Sequence, residues 1–150
     1  MKGDKSHIMK YSIELIRMLQ LLSKKGCDFT ENFVIDINKI VKRNVELFAR
    51  DFYKDVSRLC EVNKEEYVGK FEILNLTQSQ KKQLKGNLLI RYEYRRFSNL
   101  RCIFVREYDY NYNRYKYIFL CAFNEDASKK KGNNSYSYNI QRAISIFENI

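Results

Sequence analysis

Proline and tryptophan are absent from this chain, and histidine occurs once, at His7. The four cysteines, Cys27, Cys60, Cys102 and Cys121, stand far apart with no CxxC spacing. One histidine and scattered thiols do not assemble the clustered N and S ligands of a zinc site, so neither metal nor cofactor is expected. The cysteines read instead as small core residues with reduced thiols, which suits the cytoplasm. No signal peptide is evident, and no apolar run approaches the roughly 20 residues that span a bilayer. Membrane attachment is therefore not expected. Lys, Asn, Ile and Tyr abound instead, a bias compatible with an AT-rich genome and silent about function.

What the chain does have is positive charge and a core's worth of apolar residues. At 150 residues and 45% hydrophobic content it is expected to form one domain, 1–150, with residues 1–8 disordered or part of a tag. The formal net charge is +10, and it is unevenly spread. Residues 1–66 carry 13 basic against 11 acidic side chains, and residues 67–150 carry 15 against 7. An excess concentrated in one half favours a polyanionic partner over general solubility.

The stretch 86–123 organises the rest. Leu88, Ile90, Tyr92 and Tyr94 alternate with Leu89, Arg91, Glu93 and Arg95, the period of a half-buried strand. Ser98 and Asn99 mark a turn into a second strand over 100–105, the Asn-studded tract 108–114 reads as a hairpin loop, and 115–123 returns as a third strand. Tyr108, Tyr110 and Tyr112 in that loop suit either an aromatic-basic surface or packing on the sheet. Before the sheet, residues 10–16 alternate like a strand, yet 8–22 as a whole fits a helix equally well, stopped by Gly26. Asp28 to Glu31 has capping-box spacing ahead of Phe33, Ile37, Ile40, Val41, Phe48, Phe52, Val56 and Leu59, one amphipathic helix or two with a break near Asn44. Residues 71–76 suit a short strand, and Ser135 caps a last helix whose stripe includes Tyr136, Ile140, Ala143, Ile144 and Phe147. The expected class is α+β: a small antiparallel sheet with helices packed on one face and an extended helical N-terminal half. Function is sought on the sheet's charged opposite face.

Three short runs carry a likeness. Tyr92-Glu93-Tyr94-Arg95, Leu100-Arg101-Cys102-Ile103-Phe104 and Ile118-Phe119-Leu120-Cys121-Ala122-Phe123 resemble the sheet strands of RelE/HigB-type toxins, of the RelE/ParE superfamily. Ser128-Lys129-Lys130-Lys131 resembles their Lys-rich loop, and Ile140-Gln141-Arg142-Ala143 their closing helix. The likeness covers about residues 86–147, and the stretch from Phe123 to Ala143 is a few residues longer than the family pattern. It implies the toxin of a toxin–antitoxin pair: a metal-independent mRNA endoribonuclease, acting on the ribosome, held in check by a cognate antitoxin protein. In such chemistry the 2′-hydroxyl attacks the adjacent phosphorus, so the site needs a base, an acid and cations for the phosphorane. The resemblance puts Arg95, Arg101, Lys129 and Lys130 in catalysis, Arg91, Arg96, Lys131 and Tyr138 on the RNA, and Glu93 as the organiser of the arginines. Arginine suits phosphate because its planar guanidinium stays charged and contacts two oxygens at once. The plainer reading of Arg95 and Arg101 is a cross-strand ion pair with Glu93. Two rival functions remain at this level, a ParE-like inhibitor of DNA gyrase and a non-catalytic RNA-binding module.

Overall fold

The computed structural model describes residues 12–62, 70–96, 99–126 and 132–150. Residues 1–8 and Lys129, Lys130 and Lys131 therefore lie outside the described residues. Helix α1 (Ile13–Ser23) starts at Ser12, whose hydroxyl accepts the Leu15 N–H at 3.0 Å. From Ser12 on, the strand-like alternation read over 10–16 loses to the helical stripe Leu15, Met18 and Leu22, all of which are buried. Gly26 follows at φ +101°, and a side chain there would meet Arg114 Nε and the Tyr115 carbonyl, each at 3.3 Å. Strand β1 (Cys27–Phe29) comes next, then helix α2 (Glu31–Val41). Its cap is Thr30 rather than Asp28: Thr30 Oγ1 accepts the Phe33 N–H at 3.1 Å and donates to the Leu120 carbonyl at 2.8 Å. Helix α3 (Val45–Val62) follows the break near Asn44, with Phe48, Phe52, Val56 and Leu59 fully buried along one stripe.

Strand β2 (Phe71–Ile73) and a short helix α4 (Gln78–Gln83) lead into the hairpins β3 (Leu88–Tyr94), β4 (Leu100–Asp109) and β5 (Arg114–Asn124), and helix α5 (Tyr136–Glu148) closes the chain. The loop expected over 108–114 shrinks to a tight turn, because β4 and β5 stay paired out to Asp109 and Arg114. Among the described residues no helix is long and apolar enough to cross a membrane.

The class is α+β, as expected, but two of its details are corrected. The sheet has five strands in the order β1-β5-β4-β3-β2, and β1 runs parallel to β5, so it is mixed rather than antiparallel. Three residues carry no readable periodicity, and only the tertiary pairing of Cys27–Phe29 with Tyr117, Ile118 and Phe119 makes them a strand. Helices also cover both faces instead of one. On the first, α1, α2 and α3 pack onto Ile90, Tyr92, Tyr94, Cys102, Phe104, Tyr117 and Phe119. On the second, α5 and the end of α4 pack onto Leu89, Ile103, Val105, Ile118, Leu120 and Phe123. Register shifts between Ile103 and Phe104, so that Ile103 faces Cys121 while Phe104 faces Phe119. Leu120 and Cys121 then both turn toward α5, as a bulge with one extra residue requires.

Candidate functional site

The second face is apolar only in its middle. At the end where β3 finishes and β4 begins, the residues turned toward α5 are Arg91, Glu93 and Arg101. Glu93 stands directly opposite Arg101 in the antiparallel register, and Arg91 lies two residues back on the same side of β3. All three side chains are nearly covered, at 13%, 6% and 7% exposure. Burying a charge without partners costs several kcal/mol, so the geometry around Glu93 is tight.

Glu93 receives three guanidiniums. Arg91 Nη1 lies 3.1 Å from Oε2, Arg101 Nε 3.4 Å from the same oxygen, and Arg95 Nε pairs with Oε1. Arg101 also donates to Glu125 through Nε at 3.1 Å and pairs through Nη2 at 3.0 Å, while its Nη1 donates to the Leu100 carbonyl at 3.2 Å. Arg91 Nε reaches Glu72 at 3.4 Å. The Arg91 Nη1 contact with Glu93 is close enough for an ion pair, yet no hydrogen bond of good geometry satisfies that buried atom. Tyr136, at the start of α5, borders the same arginines. Burial pushes its hydroxyl up to about 12, against the opposing pull of Arg91 and Arg101. A cavity of about 260 Å³ opens beside the cluster, lined by Glu72, Leu74, Asn75, Arg91, Glu93, Glu125, Tyr136 and Ile140.

Of the residues expected to act together, the structure gathers Arg91, Glu93, Arg95 and Arg101. Of the three arginines at Glu93, Arg95 is the one largely exposed, its side chain at 73%. Arg96 goes elsewhere: its Nε donates to Asp51 of α3 at 2.8 Å, beside the Tyr94 hydroxyl, which donates to the same oxygen at 2.8 Å. Tyr138 is half exposed and borders a separate polar cavity of about 380 Å³ with Asn124, Asn133, Asn134 and Asn139. There Arg142 grips Asp36 with both nitrogens, at 2.7 and 3.0 Å, and Asp36 also accepts the Ala122 N–H at 3.0 Å. The hairpin tyrosines point outward, Tyr110 at 83% and Tyr112 at 70% exposure, with the Arg114 guanidinium 5.1 Å from the Tyr112 ring centre. A cavity of about 1020 Å³ between β1, α4 and the end of α5 is lined by none of the expected site residues.

Sequence reasoning missed Glu72 and Glu125 as partners of the arginines. Glu125 was legible only once β5 is paired with β4, since Phe123 then faces Arg101 and Glu125 lies just beyond. Glu72 becomes visible the same way, opposite Arg91 in the β2–β3 register. The two acids change the chemistry of the cluster, because Glu72, Glu93 and Glu125 match Arg91, Arg95 and Arg101 charge for charge. Both Glu93 oxygens are engaged, which suits an organiser better than a proton acceptor. Among the described residues, no three His, Cys, Asp or Glu side chains gather as metal ligands. No family model, curated protein or solved structure matches this chain.

Proposed function

We propose that the chain is an RNA-cleaving toxin of the RelE/HigB type, cutting messenger RNA on the ribosome and silenced by a protein antitoxin in the same cytoplasm. The observation that carries this reading is the convergence of Arg95 and Arg101 on Glu93. Residues that resemble the family's, one on β4 and one just past the end of β3, meet at one carboxylate. Arg95 is the guanidinium free to swing onto a phosphate, since its contact with Glu93 is made from solvent. In this reading Glu93 and Glu125 fix Arg101 as a rigid wall of the site. Arg95 and Lys129 or Lys130 offset the charge that develops on the phosphorane, and one of those lysines carries the proton transfer. Arg91, Arg96, Lys131 and Tyr138 flank the bound strand. Attack by the 2′-hydroxyl leaves a 2′,3′-cyclic phosphate and requires no metal.

One observation favours the non-catalytic RNA-binding alternative. The three acids cancel the three arginines, so the cluster itself holds no excess positive charge to offset a phosphorane. Cleavage separates the two readings. Added to a translating extract, the protein is expected to cut mRNA, and Arg95→Ala with the three lysines changed to Ala is expected to abolish cutting while the protein stays folded. RNA bound but uncut by the wild type means the binding module, and inhibited supercoiling in its place means the gyrase reading. A substrate with 2′-deoxy at the cut nucleotide is expected to resist. Arg101→Ala is a poor probe, because it removes a buried guanidinium shared by Glu93 and Glu125 and disturbs the fold along with the site.

A further inference from the structure

We propose that Cys27 and Cys60 form a redox-sensitive dithiol, which low-molecular-weight disulfides oxidise to a cystine joining strand β1 to helix α3. The two residues are 33 apart in sequence, yet their Sγ atoms lie 3.5 Å from each other in hydrogen-bonding contact. A disulfide bond is about 2.0 Å long, so closure asks for a movement of about 1.5 Å, within reach of side-chain rotation. The backbones already belong to rigid neighbours. Cys27 is fully buried on β1, which is paired to β5, and Cys60 sits in the last turns of α3, which packs on the same face of the sheet.

The two thiols are not equivalent, and the asymmetry assigns their roles. Cys60 is partly exposed, so a small disulfide can reach it, whereas Cys27 can be reached only from Cys60. The hydrogen bond from Cys27 and the positive charges of Lys25 and Arg114 draw the Cys60 thiol below its ordinary range, against burial and Glu61. Cys27 moves the other way, raised by its contact with Cys60, by burial and by Asp28, with Arg114 opposing. Thiolate is the attacking form. Cys60 therefore attacks one sulfur of an oxidised glutathione-type disulfide, whose S–S bond breaks and releases one thiol. Cys27 then attacks the Cys60 sulfur, and its proton goes to the second thiolate as that leaves, releasing it as a thiol. Two protein thiols are oxidised to one cystine, and one small disulfide is reduced to two thiols. Cys102 and Cys121 serve as internal controls. Burial raises both thiols, and the Cys121 thiol donates to the Asn139 carbonyl at 3.8 Å.

The test equilibrates the full-length protein in glutathione buffers of increasing oxidised-to-reduced ratio, blocks free thiols by alkylation, and reads intact mass and the peptide map. Two of the four thiols should be lost, with a single Cys27–Cys60 cross-link, and the oxidised form should melt roughly 10 °C higher because the bond closes a long loop. Cys27→Ala should stop at glutathione attached to Cys60, and Cys60→Ser should show neither attachment nor cross-link. Four free thiols in the folded protein at the most oxidising ratio would overturn the proposal, as would a cross-link through Cys102 or Cys121. None of these readouts depends on RNA cleavage.

Discussion

The two faces of the sheet are made from alternate residues of the same three strands, yet they have become different materials. The face under α1, α2 and α3 is aromatic and dry from end to end. Phe52 sits at its centre, with ring centres of Phe33, Phe48, Tyr92 and Phe119 at 6.0, 5.1, 5.4 and 5.3 Å. Its polar atoms are few and lie at the rim, where the Tyr92 hydroxyl donates to Asp55 at 2.6 Å and the Tyr94 hydroxyl to Asp51. The face under α5 is aliphatic in the middle and ionic at one end. Three helices pack on the first face; one long helix and the end of a six-residue one pack on the second. At one end of that second face charged residues take the strand positions, and because they are nearly covered each requires a partner. A candidate site arises there because the positions turned toward α5 change from aliphatic to charged along the same strands.

The comparison can be broken hardest at Phe52. Phe52→Ala should cost about 4 kcal/mol, within the range for deleting a buried ring, since its aromatic neighbours cannot collapse into the hole together. Ile144→Ala, in the thinner aliphatic layer, should cost about 3 kcal/mol. Urea unfolding of both variants reads the difference, and equal losses would mean that the two layers are packed alike.

Next in size is Glu93→Ala, expected to cost about 3 kcal/mol by leaving Arg91 and Arg101 buried without their shared counter-charge. Glu61→Ala removes the exposed partner of Lys25 and should change stability by less than about 0.5 kcal/mol. If the two acids behave alike, the ionic end of the second face is as wet as the surface.

A smaller effect than that of Glu93 lies at the rim of the aromatic face. Burial works to raise the Asp51 carboxyl, but hydrogen bonds from Tyr94 and Arg96 and the charge of Arg96 hold it below its ordinary 3.8. A carboxyl depressed by folding stabilises the native state above 3.8, and that contribution is lost as pH falls through the folded value. Tyr94→Phe should remove about 1 kcal/mol at neutral pH and flatten the fall in unfolding midpoint below about pH 4. An unchanged acid limb would assign it to other carboxylates.

Much of the frame was legible in the sequence because it rests on local periods. Leu88 to Tyr94 alternates with period two and is a strand; Phe48, Phe52, Val56 and Leu59 repeat at helical spacing and line a helix; Ser135 caps the helix expected to follow it. The likeness to a toxin's strands likewise marked Glu93, Arg95 and Arg101 as neighbours, and register across β3 and β4 brought them together. What the chain alone did not disclose depends on distances between residues far apart in sequence. Cys27–Phe29 is too short to show a period and is a strand only because β5 is there to pair with it. Asp36 meets Arg142 across 106 positions, and Cys27 meets Cys60 across 33. Glu72 and Glu125 neutralise arginines only through strand register. Hydrophobic alternation sets which way each side chain points, since that is a property of neighbouring dihedral angles. Which charge answers which is set by packing, because a buried ion is held by whatever the fold brings within about 4 Å of it.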